Sequence, residues 1–145
     1  MTHARMSERR TSLIGALLTA IGPVSMAIYT PAMPQLVTAF DTTSSAIKLS
    51  LSLYFAGFAV AQLAAGPISD AFGRRKATLA FLLIYLAGSL IAALAPTVDL
   101  LLAGRLVQGI GASVGVTVSR AIVRDQFTGS EAARILNMIG IMLAV

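Results

Sequence analysis

The chain has 145 residues, is 57% hydrophobic and 12% charged, and carries a net charge of +5 with no cysteine. Without thiols neither a disulfide framework nor a thiolate metal site can form, and the cations stand beside apolar blocks with no aromatic residues interleaved for base stacking, which argues against nucleic acid as a partner. The apolar blocks are about as long as the ~20 residues needed to cross a ~30 Å hydrocarbon core, so the composition describes an all-α integral membrane protein.

Residues 1–12 read as a tail holding Arg5, Arg9 and Arg10. Cations before an apolar run resemble a signal peptide, but the run continues to about Phe40 and further spans follow, so an uncleaved first helix is expected. Spans are expected at about residues 13–37, 46–66, 77–95 and 100–118, with a fifth over 132–145. The segment Thr128-Gly129-Ser130-Glu131 has the capping-box spacing that starts this fifth helix. Between the second and third spans, a helix is not expected to continue through Gly66-Pro67, Asp70 and the adjacent Arg74, Arg75 and Lys76, so the stretch Gly66–Thr78 reads as a turn in water.

Sorting cations by side fixes an expected orientation. Arg5, Arg9, Arg10, Arg74, Arg75, Lys76, Arg120, Arg124 and Arg134 fall on one side, Lys48 flanks a span on the other, and Arg105 lies within a span. The positive-inside rule places the N-terminus and the Arg74 connection in the cytoplasm. From Ile135 onward the fifth segment reaches only ~16 Å, about half the hydrocarbon thickness. Residues 1–145 are therefore expected to be a piece of a longer polypeptide.

Candidate functional residues lie in three places. In the first span, Tyr29-Thr30-Pro31-Ala32-Met33-Pro34 follows Gly22-Pro23, and the prolines are expected to free carbonyls where the helix lines a cavity. Met26 and Tyr29, with Tyr54, Phe55 and Phe58 of the second span, could stack on flat apolar compounds, although packing is the commoner fate of such residues. In the charged stretch, Asp70 ends the second helix, where the macrodipole disfavours a carboxylate unless a cation faces it. Arg74 is the local candidate partner, and Gly66 and Gly73 would permit a tight turn.

The third place is the fourth span, where Leu101-Leu102-Ala103-Gly104-Arg105-Leu106-Val107-Gln108-Gly109-Ile110-Gly111-Ala112 holds the one charge clearly within a span. Arg105 is expected to face a cavity or neighbouring backbone, or else to snorkel to the outer surface. Gln108 lies one turn on and could complete a polar pair, while Gly104, Gly109, Gly111 and Gly115 would leave one face flat for another helix. His3 stands alone in the tail. No metal or nucleophile constellation appears, so neither an enzyme nor a bound cofactor is expected.

Gly66-Pro67-Ile68-Ser69-Asp70-Ala71-Phe72-Gly73-Arg74-Arg75 resembles the signature between the second and third helices of major facilitator superfamily transporters, Gly-x-Leu-(Ala/Ser)-Asp-(Arg/Lys)-x-Gly-Arg-(Arg/Lys), with Ala71 replacing a usual cation. The segment around Arg105, Gln108, Gly109 and Gly111 is similar to the family's fourth-helix signature. Tyr29 to Pro34 resembles the Tyr-x-Pro-Ala-x-Pro of the bicyclomycin and chloramphenicol resistance type of drug:proton antiporter. Many of that type carry an Asp two residues before the Tyr, where this chain has Ala27.

The resemblance implies the N-terminal part of a twelve-helix bundle, four complete transmembrane helices plus the start of a fifth. It also implies multidrug efflux by alternating access in a bacterial inner membrane, powered by a proton gradient. The partners it implies are lipid, a small amphipathic or apolar drug-like substrate, and the missing C-terminal part. The first and fourth helices are expected to line the cavity and the third to face lipid. Glu8, Asp41, Asp70, Asp99, Asp125 and Glu131 all map to span ends or connections, so no span offers a carboxylate as proton carrier. The remaining alternatives are a small self-assembling four-helix membrane protein and a non-transporting truncation product. Small multidrug exporters, however, depend on a first-span carboxylate that is absent here.

Overall fold

A computed structural model describes residues 7–144. The chain folds as α1 (Glu8–Ala39), α2 (Ser44–Phe72), α3 (Arg74–Ala93), α4 (Val98–Ala112), α5 (Val114–Gln126) and α6 (Gly129–Ala144), with no strand among the described residues. Four helical runs are long and apolar enough to cross a membrane: α1, α2, α3, and α4 with α5 taken together. This is an all-α, multi-pass membrane protein.

The starts of three runs are capped by side-chain oxygens. Ser7, Thr43 and Thr97 accept from the backbone N–H groups of Arg10, Ala46 and Leu100, satisfying donors that a helix N-terminus leaves free. At the far end of α1, Asp41 takes a positive φ of 45°. There Asp41 N–H donates to Thr38 O at 3.3 Å and Thr42 N–H to Val37 O at 3.1 Å, the paired bonds of a Schellman stop.

Several helices run past the expected span limits. α1 starts at Glu8, inside the stretch read as a tail, and stays helical through Pro23, Pro31 and Pro34. α2 continues through Gly66-Pro67 to Phe72, so the expected turn contracts to Gly73 alone, at φ 89°. The fourth span reaches Gln126, bent at Ser113, whose N–H bonds Ile110 O at 3.4 Å in a tighter turn. Hydropathy locates lipid, whereas a helix emerging from lipid keeps its internal hydrogen bonds; with 32 residues, α1 is ~48 Å long at 1.5 Å per residue, well beyond a ~30 Å core.

The fourth span is the axle of the bundle. It is 56% buried over its apolar window, against 22%, 22% and 17% for α1, α2 and α3, because every other helix of the bundle leans on it. The expected single flat glycine face is not what achieves this. Gly104 and Gly111 abut Ala92 and Tyr85 of α3, Gly109 meets the Tyr54 carbonyl of α2, and Gly115 meets the Leu18 carbonyl of α1. Seven residues bring Gly111 back to the face of Gly104, whereas Gly109 lies off it at 3.6 residues per turn. Small residues on several faces thus admit three helices.

Val114 and Val118 pack with Ala65 and Phe81, while Val123 packs with Phe127, Ile135 and Ile139 of the α5–α6 corner. The third helix leaves one side open: Leu79, Leu83, Leu86 and Leu90 are exposed, and Phe81 and Gly88 are buried against its neighbours.

Candidate functional site

Two polar clusters interrupt this apolar bundle. One occupies the bundle end that holds the α2–α3 and α5–α6 connections. Arg74 opens α3 just past Gly73, which places its side chain beside the last turns of α2 and α5. Its guanidinium pairs with Asp70 four residues earlier and donates from Nη1 to Ser69 Oγ. It also holds Asp125 with a two-pronged grip, Nε to Oδ2 at 2.9 Å and Nη2 to Oδ1 at 3.4 Å.

One cation thereby ties the ends of α2, α3 and α5. Asp70 and Asp125 remain 63% and 50% exposed, so water screens both pairs and each contributes no more than ~1 kcal/mol. Such a clasp orders three helix ends yet opens at low cost. Arg75 is exposed and enters neither ion pair. Gly66 is a helical residue rather than a turn glycine, where an added methyl would lie 3.7 Å from the Thr117 methyl, and it edges a cavity of about 310 Å³ that also meets Arg120 and Arg124.

Asp125 was not among the sequence candidates. It carries the same signal as Asp70, a carboxylate in the last turn of a helix where the macrodipole opposes it, and the same demand for a cation.

The second cluster surrounds Arg105. Snorkelling does not occur: the residue is 2% exposed and turns into the bundle. The Tyr29 ring centroid lies 4.0 Å from the guanidinium carbon and that of Tyr54 lies 4.6 Å away. Desolvated cation–π contacts of this kind contribute about 2 kcal/mol. Nη1 donates to Gln108 Oε1, and Nη2 points at the Met26 sulfur, 3.8 Å away. Gln108 Nε2 then donates to Ser89 Oγ at 2.8 Å, and Ser89 donates to the Tyr85 carbonyl.

Hydroxyl pairs continue the network between helices. Ser25 meets the Tyr85 hydroxyl at 2.6 Å, and the Tyr29 hydroxyl bonds Ser50. Ser25, Ser50, Tyr85 and Ser89 escaped the sequence reading, because an isolated hydroxyl in an apolar helix usually bonds its own backbone. Ser25, Ser50 and Ser89 do that as well.

Arg105 and Gln108 line a half-open cavity of about 360 Å³ with Tyr29, Tyr85, Leu36 and Leu101. It lies among α1, α3 and α4, toward the end that holds the α1–α2 and α3–α4 connections. The other cavity candidates scatter. Tyr54 is buried beside Arg105 with Phe58 stacked on it at 6.5 Å, and Met26 touches the guanidinium, but none of these three borders the open volume. Pro34 lines a separate recess of about 170 Å³ between α1 and α2, and Pro31 is exposed. Gly109 and Gly111, read as glycines that let another helix approach, are contact points for α2 and α3.

The model of the Major Facilitator Superfamily matches residues 15–145. An uncharacterized MFS-type transporter of Bacillus subtilis is 36% identical over 100% of this chain and 37% of its own length. A chloramphenicol resistance protein of Pseudomonas aeruginosa is 34% identical over 97% of this chain and 34% of its own. A multidrug resistance protein of a Shewanella species is 33% identical over 84% of the chain and 31% of its own. The chain spans about a third of the length of these curated relatives.

Proposed function

The chain belongs to the major facilitator superfamily, and we propose that its residues supply the first four membrane helices and the start of a fifth in a multidrug exporter of the bacterial inner membrane. The exporter works by alternating access, its two halves rocking about a site near the bilayer midplane. The N-terminus and the Arg74 clasp lie in the cytoplasm, on the argument of cation distribution.

The observation that carries this reading is the Arg74 clasp, a three-helix tie exposed enough to break on each cycle. When the cytoplasmic side closes, Asp70 and Asp125 hold Arg74 and register the helix ends. When it opens, water takes over their hydrogen bonds. The Arg105 cavity at the opposite end supplies part of the substrate path, and small amphipathic or apolar compounds fit its largely apolar walls. Relatives named for chloramphenicol and multidrug resistance support that substrate class.

A proton gradient is the proposed energy source, by resemblance to drug:proton antiporters. All six acids lie at span ends or connections, so residues 1–145 bring no carboxylate to mid-membrane. The test is expression of the whole gene in a drug-hypersensitive bacterium. Raised resistance to several unrelated apolar compounds, with efflux in everted vesicles that collapses when a protonophore is added, is expected. An unchanged resistance profile with the protein present in the membrane contradicts the proposal.

A further inference from the structure

We propose that the cavity beside Arg105 binds the carboxylate of a small, otherwise apolar anion. As an export site this rests on the transporter reading; as a binding site it rests on the geometry of one buried cation. A guanidinium stays protonated in proteins and has N–H donors but no acceptor. Arg105 is nonetheless 2% exposed, and both ion pairs found among the described residues belong to Arg74. Among the described residues the charge is buried without a counter-ion.

Its own neighbours leave donors unused. The rings of Tyr29 and Tyr54 lie with their centroids 4.0 Å and 4.6 Å from the guanidinium carbon, and neither ring carries a counter-charge. Among its donors, Nη1 bonds Gln108 Oε1 and Nη2 stands near the weak Met26 sulfur, while Nε–H has no acceptor. Arg offers five N–H donors, so most of its capacity is unused, and once the buried guanidinium turns toward the cavity it lines, a side-on carboxylate satisfies Nε and one Nη together.

Gln108 cannot supply the missing charge, because its amide is neutral, and its Nε2 donates to Ser89. Arg105 lines a cavity of about 360 Å³ whose remaining walls, including Ala32, Leu36 and Leu101, suit a compact hydrocarbon body. A lipophilic cation would meet unscreened repulsion in the same place, and a neutral compound would leave the charge uncompensated. The carboxylate can arrive on a soluble acid or on a fatty acid from the bilayer.

The chain carries its own reporter. It has three tyrosines and no tryptophan. Two of the tyrosines lie against Arg105, and the third, Tyr85, lines the cavity with it. Titration of the purified chain in detergent with cyclohexanecarboxylate, which does not absorb near tyrosine, is followed by intrinsic fluorescence. Octanoate serves as the fatty-acid arm, and cyclohexanecarboxamide and cyclohexylmethylammonium as neutral and cationic analogues.

Saturable binding of at least one acid is expected, about tenfold or more tighter than the amide, with no saturation by the ammonium. The preferred acid identifies the source. Arg105→Gln is expected to weaken the acid by about tenfold or more and Arg105→Lys to retain part of it. Equal binding of amide and acid, or an Arg105→Gln chain that binds the acid normally, overturns the proposal. If Arg105→Gln does not fold, the acid–amide–ammonium series on the unaltered chain decides alone. Carboxylate binding without drug export by the whole gene refutes the transporter reading only, and export without carboxylate preference in binding refutes this one only.

Discussion

Gly66 and Gly109 look alike in sequence, two glycines inside apolar helices, yet the structure gives them different work. A methyl group at Gly109 would strike the Tyr54 carbonyl, whereas at Gly66 the nearest atom is 3.7 Å away. Overpacking against backbone costs ~1–3 kcal/mol, while replacing an uncrowded helical glycine by alanine gains ~0.5–1 kcal/mol. Gly109→Ala is therefore expected to lower the thermal unfolding temperature in detergent, and Gly66→Ala to leave it unchanged or raise it. Equal shifts would show that α2 and α4 are not in backbone contact. Gly73 has open space around it but a φ of 89°, so Gly73→Ala is expected to cost ~1–3 kcal/mol in the same assay through backbone strain alone. The sequence marked Gly66, Gly73, Gly109 and Gly111 as significant. It could not separate a turn, a helix contact and an open surface, because that depends on which neighbour faces each glycine.

The ends of the helices are where sequence and structure part most. Hydropathy located four spans, but stopped the second at Gly66 and the fourth near residue 118, where α2 and α5 run on to Phe72 and Gln126. Those extra turns bring Asp70 and Asp125 to the two sides of Arg74, an encounter that local spacing showed only for Asp70. Because both pairs are exposed, Asp125→Asn is expected to change stability by less than ~1 kcal/mol, while transport by the whole protein falls by up to about fivefold, the limit that ~1 kcal/mol sets on a rate. Restoration of transport by the exchange of Arg74→Asp with Asp125→Arg would confirm a paired role. Loss of stability in step with transport would make the clasp a plain staple. At the α1–α2 corner, the Schellman stop places Asp41 at φ 45°, a conformation that costs an L-residue ~1–2 kcal/mol and Asp somewhat less. Asp41→Gly is expected to be at least as stable as the parent and Asp41→Val less so, read by thermal unfolding.

At the scale of the molecule, class and span count were open in the sequence, since lipid imposes long apolar blocks and all-helical backbone pairing. The central position of the fourth span was not, because hydropathy reports affinity for lipid and says nothing about which helix the others surround. With the clasp on one end and the Arg105 cavity toward the other, the bundle has two chemically distinct ends, and the proposed transport cycle requires them to face opposite sides of the membrane. The chain has no cysteine, so single cysteines at exposed Lys76 and exposed Asp99 report each end without background. A membrane-impermeant maleimide added to intact cells is predicted to label Asp99→Cys directly and Lys76→Cys only after the cells are opened. Labelling of Lys76→Cys in intact cells would contradict a cytoplasmic clasp and the transport cycle built on it.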